Sequence, residues 1–447
     1  MTPSDGSATS QRVIRQYFLL ASLYTVSAAL IWGVNTLFLL DAGLDILEVF
    51  IANAAFTAGM VAFEIPTGVL ADTRGRRISF LLSVSILGVT TLAYVAMAQL
   101  GRGVLAFSIV SVVMGLGFTF YSGAVEAWLV DALRAVDYQG TLDRVFARGS
   151  MITGAAMLVG TVSGGFLGQI DLALPYLVRA SMLALVFAVA FIGMRDLGFE
   201  PQTVRLANLH GEMMKVARAS LAYGWKAPSV RLLILVSFFQ IGFLNWAWHA
   251  WQPYFLELLG RDAVWVAGVV AALISLSMIA GNALVGWIGR FCTRRTTLFA
   301  WGSAVFTAAT IGVGLAGSFW LALGLFLCTT FAMGVMGPAK QAYLHESIPS
   351  AQRATVVSFD SLVGNAGGFV SQGGLGYLAR IRGLADGYVL GGLATVLVLP
   401  ILALLRSQSD AADYIVGREC GVQSPSAGQG LPEAGLVDAV KRQPVEA

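Results

Sequence analysis

Residues 68–77 read Gly-Val-Leu-Ala-Asp-Thr-Arg-Gly-Arg-Arg and form a short charged stretch between two long apolar segments. Gly68 and Gly75 allow close backbone approach at a helix end and in a turn. Asp72 and the arginine pair that ends the stretch can form charge-assisted bonds where the two segments leave an apolar environment. The stretch therefore predicts a tight connection between two helices that is held by ionic contacts.

A second copy of this stretch lies 218 residues further along the chain, at residues 286–295, with Arg290 in the place of Asp72. Two further pairs of segments match in the same order: 124–131 with 339–346, and 160–168 with 368–376. In the last pair, six of nine residues agree. Chance could explain one match between glycine-rich helices. Three ordered matches predict a duplicated architecture, which is a common design of membrane transporters.

The composition indicates the class of protein. Of the 447 residues, 57% are apolar and only 12% are charged, about half the charged fraction of soluble domains. So few charges could not cover the surface of a soluble protein, and three cysteines exclude a disulfide-stapled scaffold. The sequence therefore predicts a polytopic membrane protein.

Windows of about 20 apolar residues divide the chain into twelve predicted spans. They lie roughly at 17–40, 48–70, 78–98, 104–130, 150–170, 173–194, 230–257, 263–289, 296–316, 319–344, 356–379 and 387–405. Helices are favoured over barrel strands because the apolar runs are long and do not alternate. The first span is too long to belong to a signal peptide. The predicted fold is all-α, with twelve transmembrane helices in two pseudo-symmetric six-helix bundles.

The same pattern predicts five parts of the chain. They are an N-terminal tail (1–16), a first six-helix bundle (17–194), a central loop (195–229), a second six-helix bundle (230–405) and a disordered tail (406–447). Within the central loop, His210 to Trp225 can form an amphipathic helix on the membrane surface. Fifteen Lys and Arg lie in loops after even-numbered spans and four in loops after odd-numbered spans. The former loops and both termini are therefore predicted to be cytoplasmic, with the chain in the plasma (inner) membrane.

In this setting, residues 68–77 resemble the G-x-x-x-D-x-x-G-R-R/K signature of the major facilitator superfamily (MFS), and the resemblance extends over residues 17–405. It implies a carrier that works by alternating access, in which the motif holds the cytoplasmic side closed and is broken when the carrier opens inward. The residues that take this role by resemblance are Gly68, Asp72, Gly75, Arg76 and Arg77. Asp360, near the start of the eleventh span, is their predicted partner in the second half.

A second motif bears on the direction of transport. Residues 160–165 resemble the G-P-x-x-G-G element of exporters, although Thr161 replaces the proline. The alternative is close helix packing through small residues, which the repeat also places in the eleventh span. The glycines concerned are Gly160, Gly164, Gly165, Gly368 and Gly373. The fourth-span arginine and the first-span carboxylate of many proton-coupled members are absent, which leaves the coupling ion open.

Polar residues inside the spans are costly in a bilayer and therefore indicate candidate sites. The seventh span is the richest, and its amides and aromatic rings suit a cavity for a bulky, partly aromatic solute. The predicted cavity residues are Asn35, Gln240, Asn245, Trp246, His249 and Gln341. An aromatic belt at the membrane interface would explain the tryptophans equally well, and His249 could instead be a hydrogen-bonded packing residue.

Three charged side chains inside the spans are candidates for proton or charge coupling. Glu64 and Glu126 lie at depths where a carboxylate either takes part in proton transport or is held by a cation such as Arg144 or Arg148. Lys340 lies at a similar depth in the tenth span, so we expect it to meet Glu126 when the cytoplasmic side closes. In the alternative, Lys340 snorkels to the interface and Glu126 bonds within its own half.

The predicted function is secondary active transport. Three histidines, no H-E-x-x-H motif and no P-loop leave no candidate for a catalytic site, a metal, a cofactor or ATP hydrolysis. We expect a monomeric, proton-driven antiporter for efflux of a drug or small amphipathic metabolite, with a role in multidrug resistance. Proton-coupled uptake of a sugar, organic acid or other nutrient is the main alternative. A non-transporting receptor is disfavoured, because a static protein needs no breakable latch. The expected partners are the lipid bilayer, a small-molecule substrate and protons, with no nucleic acid.

Overall fold

The structure is a computed structural model that describes residues 3–121, 123–199, 227–260, 263–348, 353–408 and 410–415. The predicted amphipathic helix from His210 to Trp225 and the chain after Ile415 lie outside the described residues. The described chain is almost entirely helical and contains no β-strand. The predicted all-α membrane fold is thereby confirmed.

The helices form two sets, one in each half of the chain. The first half contains α1 (Pro3–Ala29), α2 (Asn35–Asp41), α3 (Ile46–Arg74), α4 (Arg76–Gln99), α5 (Val104–Tyr121), α6 (Ala124–Ala135), α7 (Leu142–Ile170) and α8 (Leu174–Gly193). The second half contains α9 (Pro228–Leu259), α10 (Val264–Gly289), α11 (Arg295–Leu315), α12 (Phe319–Ser347), α13 (Arg353–Arg382), α14 (Leu384–Thr395) and α15 (Val398–Ser407). Each set surrounds a buried apolar core, one around Phe80 and Tyr176 and the other around Phe306 and Tyr388.

The described residues contain ten helical segments that are long and apolar enough to cross a membrane, so the predicted number of twelve is not confirmed. The first predicted span is interrupted between α1 and α2, and the eleventh corresponds to α13, which is rich in glycine and polar side chains. The interruption is buried, since Leu30 and Val34 are almost inaccessible to solvent. Burial within protein is the condition under which non-helical backbone is tolerated at membrane depth.

Gly75 connects α3 directly to α4. Its φ of +106° belongs to a region that residues with a side chain rarely adopt, so the sharp connection requires glycine. Gly68 lies two turns earlier in α3. A Cβ atom placed on it would have no neighbouring atom within 4 Å. At its other end α3 starts with a capping box, in which Asp45 and Glu48 each accept a hydrogen bond from the other's backbone N–H.

The chain after α15 is held against the start of α11. The buried carboxylate of Asp413 accepts hydrogen bonds from the backbone N–H and the hydroxyl of Thr296, at 2.7 and 2.9 Å. Arg294 donates a hydrogen bond to the hydroxyl of Tyr414 at 2.8 Å. The expectation of disorder from residue 406 onward is therefore wrong for residues 410–415, because this segment satisfies donors that a helix start leaves free.

The first half has an equivalent anchor. The backbone N–H of Arg77, near the start of α4, donates to Asp196 at 2.9 Å. Burial raises the pKa of Asp196, although the N–H of Arg77 and the positive charges of Arg77 and Arg76 act in the opposite direction. In each half, an aspartate that follows the last helix of that half thus caps the helix of its third predicted span, α4 in the first half and α11 in the second. The structural repeat extends to these aspartates, which none of the sequence matches includes.

Candidate functional site

The bundle has two ends, and we name them by their residues. The motif end carries Asp72 and Arg76 in the first half and Arg290 and Arg295 in the second, and the far end is opposite to it. Between described residues, the hydrogen bonds and the ion pair that join the halves all lie toward the far end. Among the described residues, the polar contacts that close the region between the halves therefore lie at the far end.

Gln252 in α9 makes two of these contacts. Its side-chain oxygen accepts a hydrogen bond from the backbone N–H of Thr36, and its side-chain nitrogen donates one to the carbonyl of Trp32, both at 2.9 Å. The carbonyl of Trp32 lies in the interruption between α1 and α2, and the N–H of Thr36 lies in the first turn of α2, where regular helical partners are missing. The glutamine is only 1% exposed, so its bonds pair groups that would otherwise be buried without a partner.

Ring and ionic contacts continue the closure. They join Trp32 with Trp248, Phe50 with Trp246, Phe166 with Trp265, and Asp45 with Arg380. The rings of the first pair are 5.1 Å apart edge to face, and the ion pair spans 3.4 Å. Together with the two bonds of Gln252, we call these contacts the far-end seal.

Glycines allow the helices of the two halves to approach closely. A Cβ on Gly165 in α7 would stand 2.7 Å from the Cα of Gly268 in α10, so neither position accommodates a side chain. The other predicted packing glycines in close contact are Gly160, Gly164 and Gly368. At Gly373 the expected packing is absent, because the space beside its Cα is open.

The motif residues contact their own half. Asp72 and Arg76 form an ion pair of 2.6 Å, and Arg76 also lies 3.8 Å from Asp131. Arg77 donates a hydrogen bond to the carbonyl of Phe191 at 2.7 Å and lies over its ring. The contacts that these motif side chains make with described residues thus lie within the first half.

A buried ionic cluster lies in the second half, where α9, α12 and α13 meet. The ammonium of Lys340 lies 2.8 and 2.7 Å from the two carboxylate oxygens of Asp360, and Ser237 donates to the same carboxylate at 2.6 Å. In this conformation Asp360 does not contact the motif, because Lys340 occupies both of its oxygens. Its pairing with the motif when the cytoplasmic side is closed stays a prediction. Snorkelling of Lys340 to the interface is wrong, since the ion pair holds it inside.

Glu64 and Glu126 have no comparable partner. Both side chains are exposed, and neither forms an ion pair with any described residue, including the candidate cations Arg144 and Arg148. Glu64 lies 14 residues after Phe50, close to four helical turns, and so shares the face of α3 that meets the second half. The predicted contact between Glu126 and the ammonium of the tenth span is not formed in this conformation.

Three of the predicted cavity residues are used in contacts between helices. Trp246 is fully buried against Tyr388, so it belongs to the core and neither to a cavity nor to an interfacial belt. Asn35 accepts a hydrogen bond from Tyr176 at 2.8 Å. Gln240 donates to the hydroxyl of Ser303 at 2.8 Å. These contacts assign the three side chains to helix packing.

The other three predicted cavity residues are Asn245, His249 and Gln341. The amide nitrogen of Asn245 and the Nδ1 atom of His249 are buried and have no hydrogen-bond partner among the described residues. Gln341 in α12 is exposed. Buried polar atoms normally find a partner, so these two atoms, and the Nε1 atom of Trp246 between them, are exceptions among the described residues.

Two residues of this site were not predicted from the sequence. Gln252 and Ser237 are visible as polar residues in an apolar helix, which indicates a polar contact with a neighbouring element. The local pattern does not show that Gln252 bonds to the other half of the chain. Nor does it show that Ser237 joins the ion pair of Lys340 and Asp360 in its own half. Only the packing of the helices supplies those partners.

Comparisons with known proteins agree with this architecture. A family model described as Major Facilitator Superfamily matches residues 17–372. A protein of Bacillus subtilis (strain 168) described as the uncharacterized MFS-type transporter YxaM is 21% identical over 383 residues, which are 82% of this chain and 88% of that protein. The chain is also similar to the crystal structures of the nucleoside transporter NupG (TM-score 0.71, 11% identity, 88% of this chain and 99% of that one) and of a D-xylose-proton symporter (TM-score 0.64, 14% identity, 88% and 97%). At these identities the structural likeness shows the fold alone.

Gln252→Leu should weaken the far-end seal, because it removes both bonds of the glutamine and leaves the N–H of Thr36 and the carbonyl of Trp32 unpaired. Each unpaired buried group costs about 1–3 kcal/mol, so the population of closed molecules should fall by at least about fivefold. We expect spin labels at Asp41 and Arg382, on the two sides of the far end, to show longer distances by double electron–electron resonance.

The matched control is Gln240→Leu, which removes a buried glutamine from the same helix. Its bond to Ser303 stays inside the second half, so stability should fall while the distance between the labels stays unchanged. A distance distribution in Gln252→Leu equal to that of the parent protein would contradict the sealing role.

Proposed function

Since this chain belongs to the major facilitator superfamily, we propose that it is a proton-driven carrier that exports a drug or small amphipathic metabolite by alternating access. In this proposal the motif end and both termini face the cytoplasm, and the membrane is the plasma membrane. The conformation described above is then the inward-open one, closed by the far-end seal. Transport requires this seal to break while new contacts form between the halves at the motif end.

The observation that carries proton coupling is the pair of unpartnered carboxylates. Glu64 lies 10 residues before the end of α3 and Glu126 lies 9 residues before the end of α6, so each is roughly 15 Å from the motif-end helix termini at 1.5 Å per residue. When the motif end closes, these groups leave water. A carboxylate in that setting is costly unless it takes a proton or meets a cation, so closure of the motif end is coupled to proton uptake, to a cationic cargo or to Lys340.

Export and uptake use the same switch. Export is supported by the likeness of residues 160–165 to an exporter element. The alternative, proton-coupled uptake of a sugar, organic acid or other nutrient, is supported by the structural similarity to a D-xylose-proton symporter. In both cases the buried unpartnered atoms of Asn245 and His249 would contact the solute.

Two measurements test the proposal. Expression in a pump-deficient host should lower the accumulation of ethidium and related amphipathic dyes, whereas raised accumulation of labelled sugars or organic acids would favour uptake. In proteoliposomes with an imposed pH gradient, Glu64→Gln and Glu126→Gln should each reduce gradient-driven transport more than tenfold. Glu257→Gln, an exposed far-end glutamate, is the control and should transport normally. Gradient-driven transport that survives both glutamine variants would overturn proton coupling through these carboxylates.

Asp72→Asn should fold and insert normally and yet lose most transport activity. The carboxylate is about one third exposed and pairs with Arg76 on the surface, so its removal costs at most about 1 kcal/mol of stability. Its proposed role is to bias two conformations. Asp137→Asn, a nearby exposed aspartate, is the control. Full transport by a normally inserted Asp72→Asn protein would argue against the gate role.

The charge exchange Glu126→Lys with Lys340→Glu tests whether these residues meet when the motif end closes. Each single change should abolish transport, because it leaves like charges facing each other or a carboxylate beside Asp360. The double change should restore part of the activity. Restoration will be incomplete, since the new glutamate at 340 still lies against Asp360 in the inward-open state. If the double change restores nothing, the pair is not a latch.

A further inference from the structure

The second copy of the motif borders a cavity, and the charge at this cavity differs from the charge at the same position of the first copy. The cavity, of about 460 Å³, lies at the motif end between α10, α11, α12 and the start of the C-terminal tail. Its wall combines apolar groups with two guanidinium groups, and the residues relevant here are Val285, Arg290, Arg295, Leu298, Pro338 and Ile415. Such a wall suits an anionic amphiphile.

The charges around this cavity are unequally satisfied. Arg295 is held by Glu346, with two bonds of 2.6 Å, and Arg294 stacks on Tyr414. Arg290 stands where the first copy has an aspartate, is exposed, and forms no ion pair with any described residue. In the first copy an internal carboxylate neutralises the motif arginine. In the second copy no carboxylate stands at the position of Asp72, because that position is Arg290.

A second cavity, of about 350 Å³, adjoins the first and shares Cys292 and Leu298 with it. It is lined by Phe291 and Trp301, which are 74% and 70% exposed, and by Val305. Both α10 and α11 are long and apolar enough to span a membrane. Exposed aromatic rings near the end of such helices contact the headgroup and upper acyl region of a bilayer.

We propose that the two joined cavities bind one anionic phospholipid from the leaflet at the motif end. Its phosphate pairs with Arg290 and supplies from outside the negative charge that Asp72 supplies internally in the first copy. Its acyl chains lie against Phe291, Trp301 and Val305. Basic pockets between helices at a membrane surface bind anionic headgroups in this way, and charge-assisted contacts to phosphate are the strong ones.

The test uses the full chain in detergent micelles, titrated with phosphatidylglycerol or phosphatidylcholine. Native mass spectrometry should show retained phosphatidylglycerol. The melting temperature of the protein should be higher with phosphatidylglycerol than with phosphatidylcholine. Arg290→Gln should weaken phosphatidylglycerol binding about tenfold, since it removes one charge-assisted contact, and Arg290→Lys should retain part of it. Arg74→Gln, which removes an exposed arginine at the corresponding helix end of the first half, is the matched control and should bind normally.

Three outcomes would overturn the proposal. Binding of phosphatidylglycerol by Arg290→Gln at the level of the parent protein would show that Arg290 does not hold the headgroup. Equal retention of phosphatidylcholine would show that charge does not select the lipid. Stabilisation by inorganic phosphate as large as that by phosphatidylglycerol would show a general anion site in which the acyl groove has no part.

Discussion

The interruption of the first span places backbone groups at membrane depth that the helix itself cannot pair. In an apolar environment each unpaired group costs several kcal/mol. Gln252, from the other half of the chain, pairs both the N–H of Thr36 and the carbonyl of Trp32. One side chain thus makes a broken helix tolerable and joins the two halves. The far-end seal depends on this pair of bonds.

Away from the seal, most charges are balanced inside one half. Asp72 neutralises Arg76 in the first half, and Asp360 neutralises Lys340 in the second. Internal balance lets the halves separate without exposing an unpaired buried charge, which would be costly. Glu64 and Glu126 are exceptions, and for that reason they are the groups whose surroundings must change most when the motif end closes. Proton coupling is proposed at Glu64 and Glu126 because the balanced ion pairs need no proton when the halves move.

The duplication sets a frame in which differences between the halves carry information. Asp196 and Asp413 cap equivalent helices from equivalent places in the chain, so the same contact occurs in both halves. The motif itself has diverged: Arg290 in the second copy replaces an aspartate. With the scaffold shared and this one charge reversed, Arg290 is an exposed cation at a membrane surface, and the proposed lipid site rests on that difference.

The sequence by itself determined that the chain is a helical membrane protein with duplicated halves and a family motif, because hydropathy, period and spacing are local properties. It could not determine that Asp360 pairs with Lys340, that Trp246 is core, that Gln252 crosses between the halves, or that Asp413 anchors the tail. These outcomes depend on helix rotation and on contacts between residues distant in sequence. In helices that are apolar on nearly every face, the pattern does not show which face meets which neighbour, so only the tertiary structure decides the partners and the end at which the halves close.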